Sequence, residues 1–373
     1  MMKKALVMIV ALMALTSVAQ AQGMDKEELR RYIDMVFNAV YHNPDEPGAA
    51  VLIMQGNDTI YSRCFGVADM QTKAPVTFAT NFCIASVSKQ FSAVALLQLA
   101  EEGKLSLSDP LSKFFPEFQA PFFKDITLHH ILSHTSGIPD ARPHDDRDFV
   151  LYSNDITSVQ YMRTLDRLNF QPGTQYEYIN PTFQLIYQIV ERVSGMPFES
   201  YMRRNVFGRA GMNSCCYFEP NRFIANMAHG YERDSKDGEW KEYDYGEENF
   251  FGTKADGALY CSINDFVRWE RALRDNCVWT AASKRLAYQP WIRIPKDAEY
   301  GYQPYTGYGY GFFVQDYPGH PTHVYHLGDN GGFTIYAGKI PERDIIFLFF
   351  STRPDIERLR MVNDVYHFLS FKF

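Results

Sequence analysis

The stretch Cys83-Ile-Ala-Ser-Val-Ser-Lys-Gln-Phe91 places Ser86 and Lys89 three residues apart inside an otherwise apolar run. Burying a lysine costs free energy unless something pairs with it or uses it. If Ser86 opens a helix, Lys89 lies one turn on along the same face, with the two Cβ atoms roughly 5–6 Å apart. Serine alone is a weak nucleophile and needs a base beside it. A lysine becomes such a base when burial or a neighbouring positive group lowers its pKa. The run Ser-Ala-Val-Ala-Leu-Leu-Gln-Leu-Ala that follows, residues 92–100, would supply the burial. A helix N-terminus adds partial positive charge, which favours a developing oxyanion. The pattern therefore predicts acyl transfer through a serine activated by a lysine. The same letters also suit an N-cap serine followed by a lysine whose stem lies along apolar surface, so the rest of the chain must decide.

The elements around this pair follow from periodicity. Residues 25–42 read as an amphipathic helix. GAAVLIMQ and DTIYSRCFGVAD read as two strands joined by GND, a hairpin signal. Ser86 is expected to open a helix that Gly103 stops. From about residue 105 to 250 the chain alternates helical segments with loops rich in Pro and Gly, and residues 263–274 read as another helix. Residues 308–351 are strand-rich (YGYGFFVQDY, THVYHLG, FTIYAGKIP, DIIFLFFST), and a last amphipathic helix follows Pro354. Strands at both ends with helices between them imply one sheet built from the two ends of the chain.

Composition narrows the classes. With 373 residues the chain can bury a large core, and 46% hydrophobic against 22% charged residues is an ordinary globular balance. A net charge of −7 argues against a nucleic-acid partner. MMKK, then the apolar ALVMIVALMALTSV, then Ala19-Gln20-Ala21 form the pattern of a signal peptide over residues 1–21. The apolar run is short for a membrane span. The expected product, residues 22–373, is periplasmic or secreted and free of the membrane. Export permits disulfides, but the spacing of Cys64, Cys83, Cys215, Cys216, Cys261 and Cys277 selects no pairing, and mostly free, buried cysteines are expected.

ASVSKQFSAVALLQLAEEGKLSLSDPLSKFFPEF resembles the serine hydrolases of the class C β-lactamase and penicillin-binding-protein-like family, in which S-x-x-K carries the nucleophile. ITLHHILSHTSGIP, QPGTQYEYINPTFQLIYQIVERVSGMPF, GALYCSINDFVRWERAL and HLGDNGGFTIYAGKIPERDIIFLFF extend the likeness over most of residues 45–352 in the expected order. The resemblance implies an α/β (α+β) fold of the β-lactamase/transpeptidase type. Its central, mostly antiparallel sheet is flanked by helices, and a mainly helical second lobe faces it across the site. The sheet lobe would take about residues 24–105 and 255–373, and the helical lobe about 106–254.

The family's second motif is Tyr-x-Asn, and three triplets match. Tyr41-His-Asn precedes the nucleophile, and Tyr152-Ser-Asn follows a charged loop. Tyr178-Ile179-Asn180 follows the turn PGTQ and precedes a periodic helix, the family's context, so it is selected. Tyr178 would move a proton between Ser86 and the leaving group, and Asn180 would hold Lys89 and the substrate amide. The third motif, usually Lys-Thr-Gly, is here His326-Leu327-Gly328. Gly328 would let substrate approach the strand, and the N–H groups of Ser86 and Asp329 would form the oxyanion hole. His326, largely neutral at pH 7, replaces a permanent cation and weakens the case for efficient β-lactam hydrolysis.

The expected activity is that of an exported serine hydrolase forming an acyl-enzyme on an amide, lactam or ester carbonyl of a small-molecule or peptide substrate, such as one derived from the cell wall, with no cofactor and no metal. Alternatives on the same fold are a D-Ala-D-Ala carboxypeptidase, a D-aminopeptidase or an esterase. A different class, a non-catalytic penicillin-binding or sensing module, would hold its adduct rather than turn it over. His130 and His134 have the i, i+4 spacing of metal ligands but lack the glutamate of H-E-x-x-H, and the family uses that segment structurally. The tyrosine-rich run YGYQPYTGYGYGFF reads as packed strand residues ahead of a ligand-binding rim.

Overall fold

A computed structural model of the chain describes residues 26–243, 252–301 and 304–372; the expected signal peptide, residues 1–21, lies outside them. In chain order the strands are β1 (Ala49–Gln55), β2 (Asp58–Phe65), β3 (Asn81–Cys83), β4 (Cys216–Tyr217), β5 (Tyr231–Arg233), β6 (Trp240–Glu242) and β7 (Leu259–Ser262). They continue with β8 (Ile292–Arg293), β9 (Thr306–Tyr308), β10 (Phe313–Gln315), β11 (His323–Asn330), β12 (Phe333–Ile340) and β13 (Ile345–Ser351). The helices that matter here are α1 (Lys26–Asn38), α2 (Lys89–Glu101), α3 (Leu128–Leu132), α4 (Asn180–Ser194), α5 (Ile263–Arg274) and α6 (Arg358–Lys372).

The main sheet runs β2-β1-β13-β12-β11-β10-β9-β8 with every neighbouring pair antiparallel. One strand in from the β2 edge the sheet joins the two ends of the chain, since Ala49 pairs with Ser351 and Gln55 with Ile345. β1 is apolar along almost its whole length because both faces are covered. On one side Leu29, Ile33 and Phe37 of α1 are buried at helical spacing, Tyr32 meets Phe368 of α6, and Phe37 meets Phe349 of β13. On the other side Phe350 packs between Phe82 and Phe266. β3, β7 and β4 form a small second sheet, and β5 pairs with β6.

α2 is buried from Lys89 through Leu99, so it is a core helix with no solvent face. It ends as expected: Gly103 has φ +69°, and the Lys104 N–H returns to the Leu99 carbonyl. Its start differs from the expectation. Ser86 does not open the α-helix but sits in a 3₁₀ turn, Ala85–Ser88, with α2 beginning at Lys89. Ala85 holds φ +47°, which stops helical geometry from extending back toward β3 and costs about 1–2 kcal/mol for a residue with a Cβ.

Candidate active site

The 3₁₀ turn brings Ser86 and Lys89 together. At three residues per turn, side chains at i and i+3 lie in line, and Lys89 Nζ donates to Ser86 Oγ at 3.0 Å. Ser86 stays half-exposed while Lys89 is wholly buried. Lys89 also donates to Asn180 Oδ1 at 2.7 Å and to the Asp256 carbonyl at 3.1 Å. Burial draws the Lys89 ammonium down to about 8; the carboxylates of Asp256 and Glu299 oppose this and the Arg142 charge adds to it. A group balanced near neutrality can take a proton and give it back.

Tyr178 lies beside this cluster, its ring centroid 5.1 Å from Lys89 Nζ. Its buried hydroxyl makes no hydrogen bond of ordinary geometry, though Ser86 is close enough to ease its ionisation slightly. Burial pushes the phenol well above its usual range, and the neighbouring Tyr300 and Tyr308 add to that. At neutral pH Tyr178 is therefore a proton donor, and Lys89 is the group able to accept from Ser86. His134 holds the Tyr178 segment in place: its carbonyl accepts from the Glu177 N–H at 3.0 Å and its Nδ1 accepts from the Ile179 N–H at 3.4 Å. His130 Nδ1 instead accepts from the Thr127 N–H at the start of α3. Both histidines of the metal-like spacing thus have structural roles, and among the described residues no cluster fit to hold a metal occurs. Of the other triplets, Tyr41 bonds Ser351 in the core and Tyr152 is 77% exposed.

His326 departs from its expected role as a substrate contact. It is 1% exposed and lies under the site, packed on Phe313 and Tyr178. Its Nδ1–H donates to the Leu327 carbonyl at 2.7 Å, which leaves Nε2 to accept from the Tyr308 hydroxyl at 3.0 Å. Burial, helped by the Lys89 charge, lowers its pKa to about 3, so the ring is neutral. Gly328 also works differently from the expectation. A Cβ there would lie 2.3 Å from the Ile84 carbonyl, so the missing side chain lets β11 close on the backbone just ahead of the Ala85–Ser88 turn. Asp329 turns its carboxylate to Arg358, at 2.8 Å on both oxygens, while its residue lines the cleft.

That cleft, about 70 Å³, is lined by Ala85, Ser86, Asn180 and Asp329 together with Arg142, Thr253, Asp256 and Gly257. Sequence reasoning missed Arg142 and Asp256. It also missed Asp155, whose carboxylate accepts from the backbone N–H groups of Lys254 at 2.6 Å and Ala255 at 2.8 Å. Ser92 Oγ donates to the Ala255 carbonyl at 2.6 Å. Together these clamp the 254–256 strap whose next carbonyl receives Lys89. No local pattern marks these residues, because they come from three separate segments; a charged residue next to Gly257 was the one available sign. Burial pushes the Asp155 carboxyl up to about 8, and burial likewise raises Asp256. The six cysteines are free thiols; Cys83 and Cys261 are buried, Cys64, Cys215 and Cys216 half-buried, and Cys277 exposed.

The sequence model of the Beta-lactamase family matches residues 33–369. A penicillin-binding protein of Bacillus subtilis (strain 168) is 27% identical over 346 residues, 89% of this chain and 74% of that protein. Among solved structures, the octameric penicillin-binding protein homologue from Pyrococcus abyssi superposes with a TM-score of 0.77 at 26% identity, over 92% of this chain and 76% of that one. The penicillin binding protein from Bacillus halodurans gives 0.73 at 26% identity, over 91% and 98%.

Proposed function

Because the chain belongs to the Beta-lactamase family, we propose that it is a serine hydrolase in which Ser86 forms an acyl-enzyme on an amide, lactam or ester carbonyl. The observation that carries this reading is the Lys89 ammonium, buried and drawn down to about 8, at 3.0 Å from the half-exposed Ser86 hydroxyl. Lys89 in its neutral form takes the Ser86 proton as Oγ bonds to the carbonyl carbon. The oxyanion is received by the N–H groups of Ser86 and Asp329. As the carbon–nitrogen or carbon–oxygen bond breaks, Tyr178 gives its proton to the leaving atom and regains one from Lys89. Water, deprotonated by the same pair, then releases the acid and restores Ser86. Asn180 fixes Lys89 throughout, and its amide N–H₂ is left to face the substrate. His326 acts through Tyr178 and Tyr308 as a neutral support, and Gly328 admits β11 to the turn.

The pattern of residues 1–21 supports export, and the substrates are then small molecules or peptides outside the cytoplasm, cell-wall fragments among them. Among the described residues no helix is long and apolar enough to cross a membrane. Steady-state hydrolysis of a panel of activated esters, D-amino-acid amides and a penicillin tests the reading. At least one should be cleaved by the wild type, and Ser86→Ala should lose at least about 10³-fold in kcat/KM, the scale seen when a nucleophile is removed. Turnover unchanged in Ser86→Ala would overturn it.

A further inference from the structure

Resting on that reading, we propose that Asp329 and Arg358 form a specificity-determining pair that turns the cleft against leaving groups bearing a carboxylate. The preferred substrates are amides or esters whose leaving group is uncharged at that place.

Asp329 stands at the cleft, and Arg358 is bound to it. Asp329 lines the cleft with Ala85 and Ser86, one residue beyond the Gly328 that touches Ile84. Arg358, at the start of α6, is fixed there: Nη1 donates to the Gly328 carbonyl and the Ile335 carbonyl, each at 3.1 Å. Its charge reaches inward far enough to disfavour protonation of His326. Here is a cation placed to meet a substrate carboxylate, and it is already taken. Both guanidinium nitrogens Nη1 and Nη2 donate to Asp329, each at 2.8 Å, the bidentate geometry that a carboxylate ligand would itself need.

The other charges around the cleft point the same way. Arg142 is held by Asp140 through Nε at 2.8 Å and Nη2 at 2.6 Å. Lys89 must be neutral to act as the base, and His326 is neutral. A carboxylate entering beside Ser86 would meet Asp256 on the cleft wall and Asp329 at its rim, while the two arginines nearby, Arg142 and Arg358, already hold the carboxylates of Asp140 and Asp329.

A matched pair of substrates tests this: an acyl–D-lactate ester, and the same ester with the lactate carboxyl converted to the primary amide. The wild type should hydrolyse the amide form with a kcat/KM about tenfold or more above the carboxylate form. Asp329→Asn keeps the backbone N–H but frees Arg358, and should move that ratio toward the carboxylate by about tenfold, the scale of one charge-assisted contact. The double variant Asp329→Asn, Arg358→Gln should return the ratio to the wild-type side, which a merely structural role for Asp329 would not produce. Calorimetric binding of acetyl-D-lactate in the Ser86→Ala background gives a readout without turnover: it should bind the Ser86→Ala, Asp329→Asn protein more tightly than Ser86→Ala alone. Ser86-dependent hydrolysis with a ratio that Asp329→Asn leaves unmoved overturns the pair's role while leaving the hydrolase standing. Absence of any Ser86-dependent hydrolysis overturns the hydrolase, and the acetyl-D-lactate affinities then decide the pair by themselves, equal values in the two proteins sinking it.

Discussion

Lys89 spends all three of its donors, on Ser86, Asn180 and the Asp256 carbonyl, when it is protonated. In that state Ser86 can only accept from Lys89 and cannot pass it a proton, so attack waits for Lys89 to lose its own. The sign follows directly: kcat/KM should climb as pH rises through about 8 and level off above it. Arg142 contributes positive charge that lowers the Lys89 pKa, so Arg142→Gln should shift the rising limb to higher pH in a pH–rate profile. Tyr178→Phe should cut kcat by about 10²–10⁴-fold with little change in KM, as befits a group needed for proton transfer; an equal rise in KM instead would mark it as a binding residue. Ser86, Lys89, Tyr178 and Asn180 were legible because the local patterns S-x-x-K and Tyr-x-Asn place them. Arg142, Asp155 and Asp256 were not, since the contacts that define their roles cross long stretches of chain.

Two short elements hold those residues in register, and both are tight. The 3₁₀ turn Ala85–Ser88 lies against β11, where Gly328 faces the Ile84 carbonyl. Gly328→Ala forces a backbone contact apart, and overpacking of that kind costs about 1–3 kcal/mol; a lower melting temperature together with a large loss of kcat is expected, whereas an undisturbed melt would mean that the turn can yield. The strap at 254–256 depends on Asp155, and Asp155→Ala leaves the half-buried Lys254 N–H and the buried Ala255 N–H without their acceptor. The expected loss is about 1–3 kcal/mol in urea unfolding, with Lys89 losing its carbonyl anchor. Periodicity located α5 at Ile263–Arg274 and the β1–β2 hairpin well. It misjudged the start of α2, because Ala85 is left-handed at φ +47° in a turn that packs on β11, a partner more than two hundred residues away in sequence.

At the scale of the whole molecule, the sheet is closed by strands from opposite ends of the chain, β1 against β13. That pairing was legible in the sequence because strand-like runs sit at both termini with helical periodicity between them. Its register was not, because neighbouring apolar strands offer several alignments of similar burial. Phe350 packs between Phe82, just ahead of the Ala85–Ser88 turn, and Phe266 of α5, so the closure of the sheet and the placement of Ser86 share one packing unit. Phe350→Ala should cost about 3–5 kcal/mol by equilibrium denaturation and lower activity with it. The central claim, that Ser86 becomes acylated, is tested most directly by mixing the protein with an intact ester or amide that it hydrolyses, quenching in acid at short times and mapping the mass increase by peptide digestion. A transient acyl group on the peptide containing Ser86, missing in Ser86→Ala and slow to form in Lys89→Met, is the predicted result. Turnover that proceeds with no adduct on that peptide, or with the adduct on another residue, would contradict it.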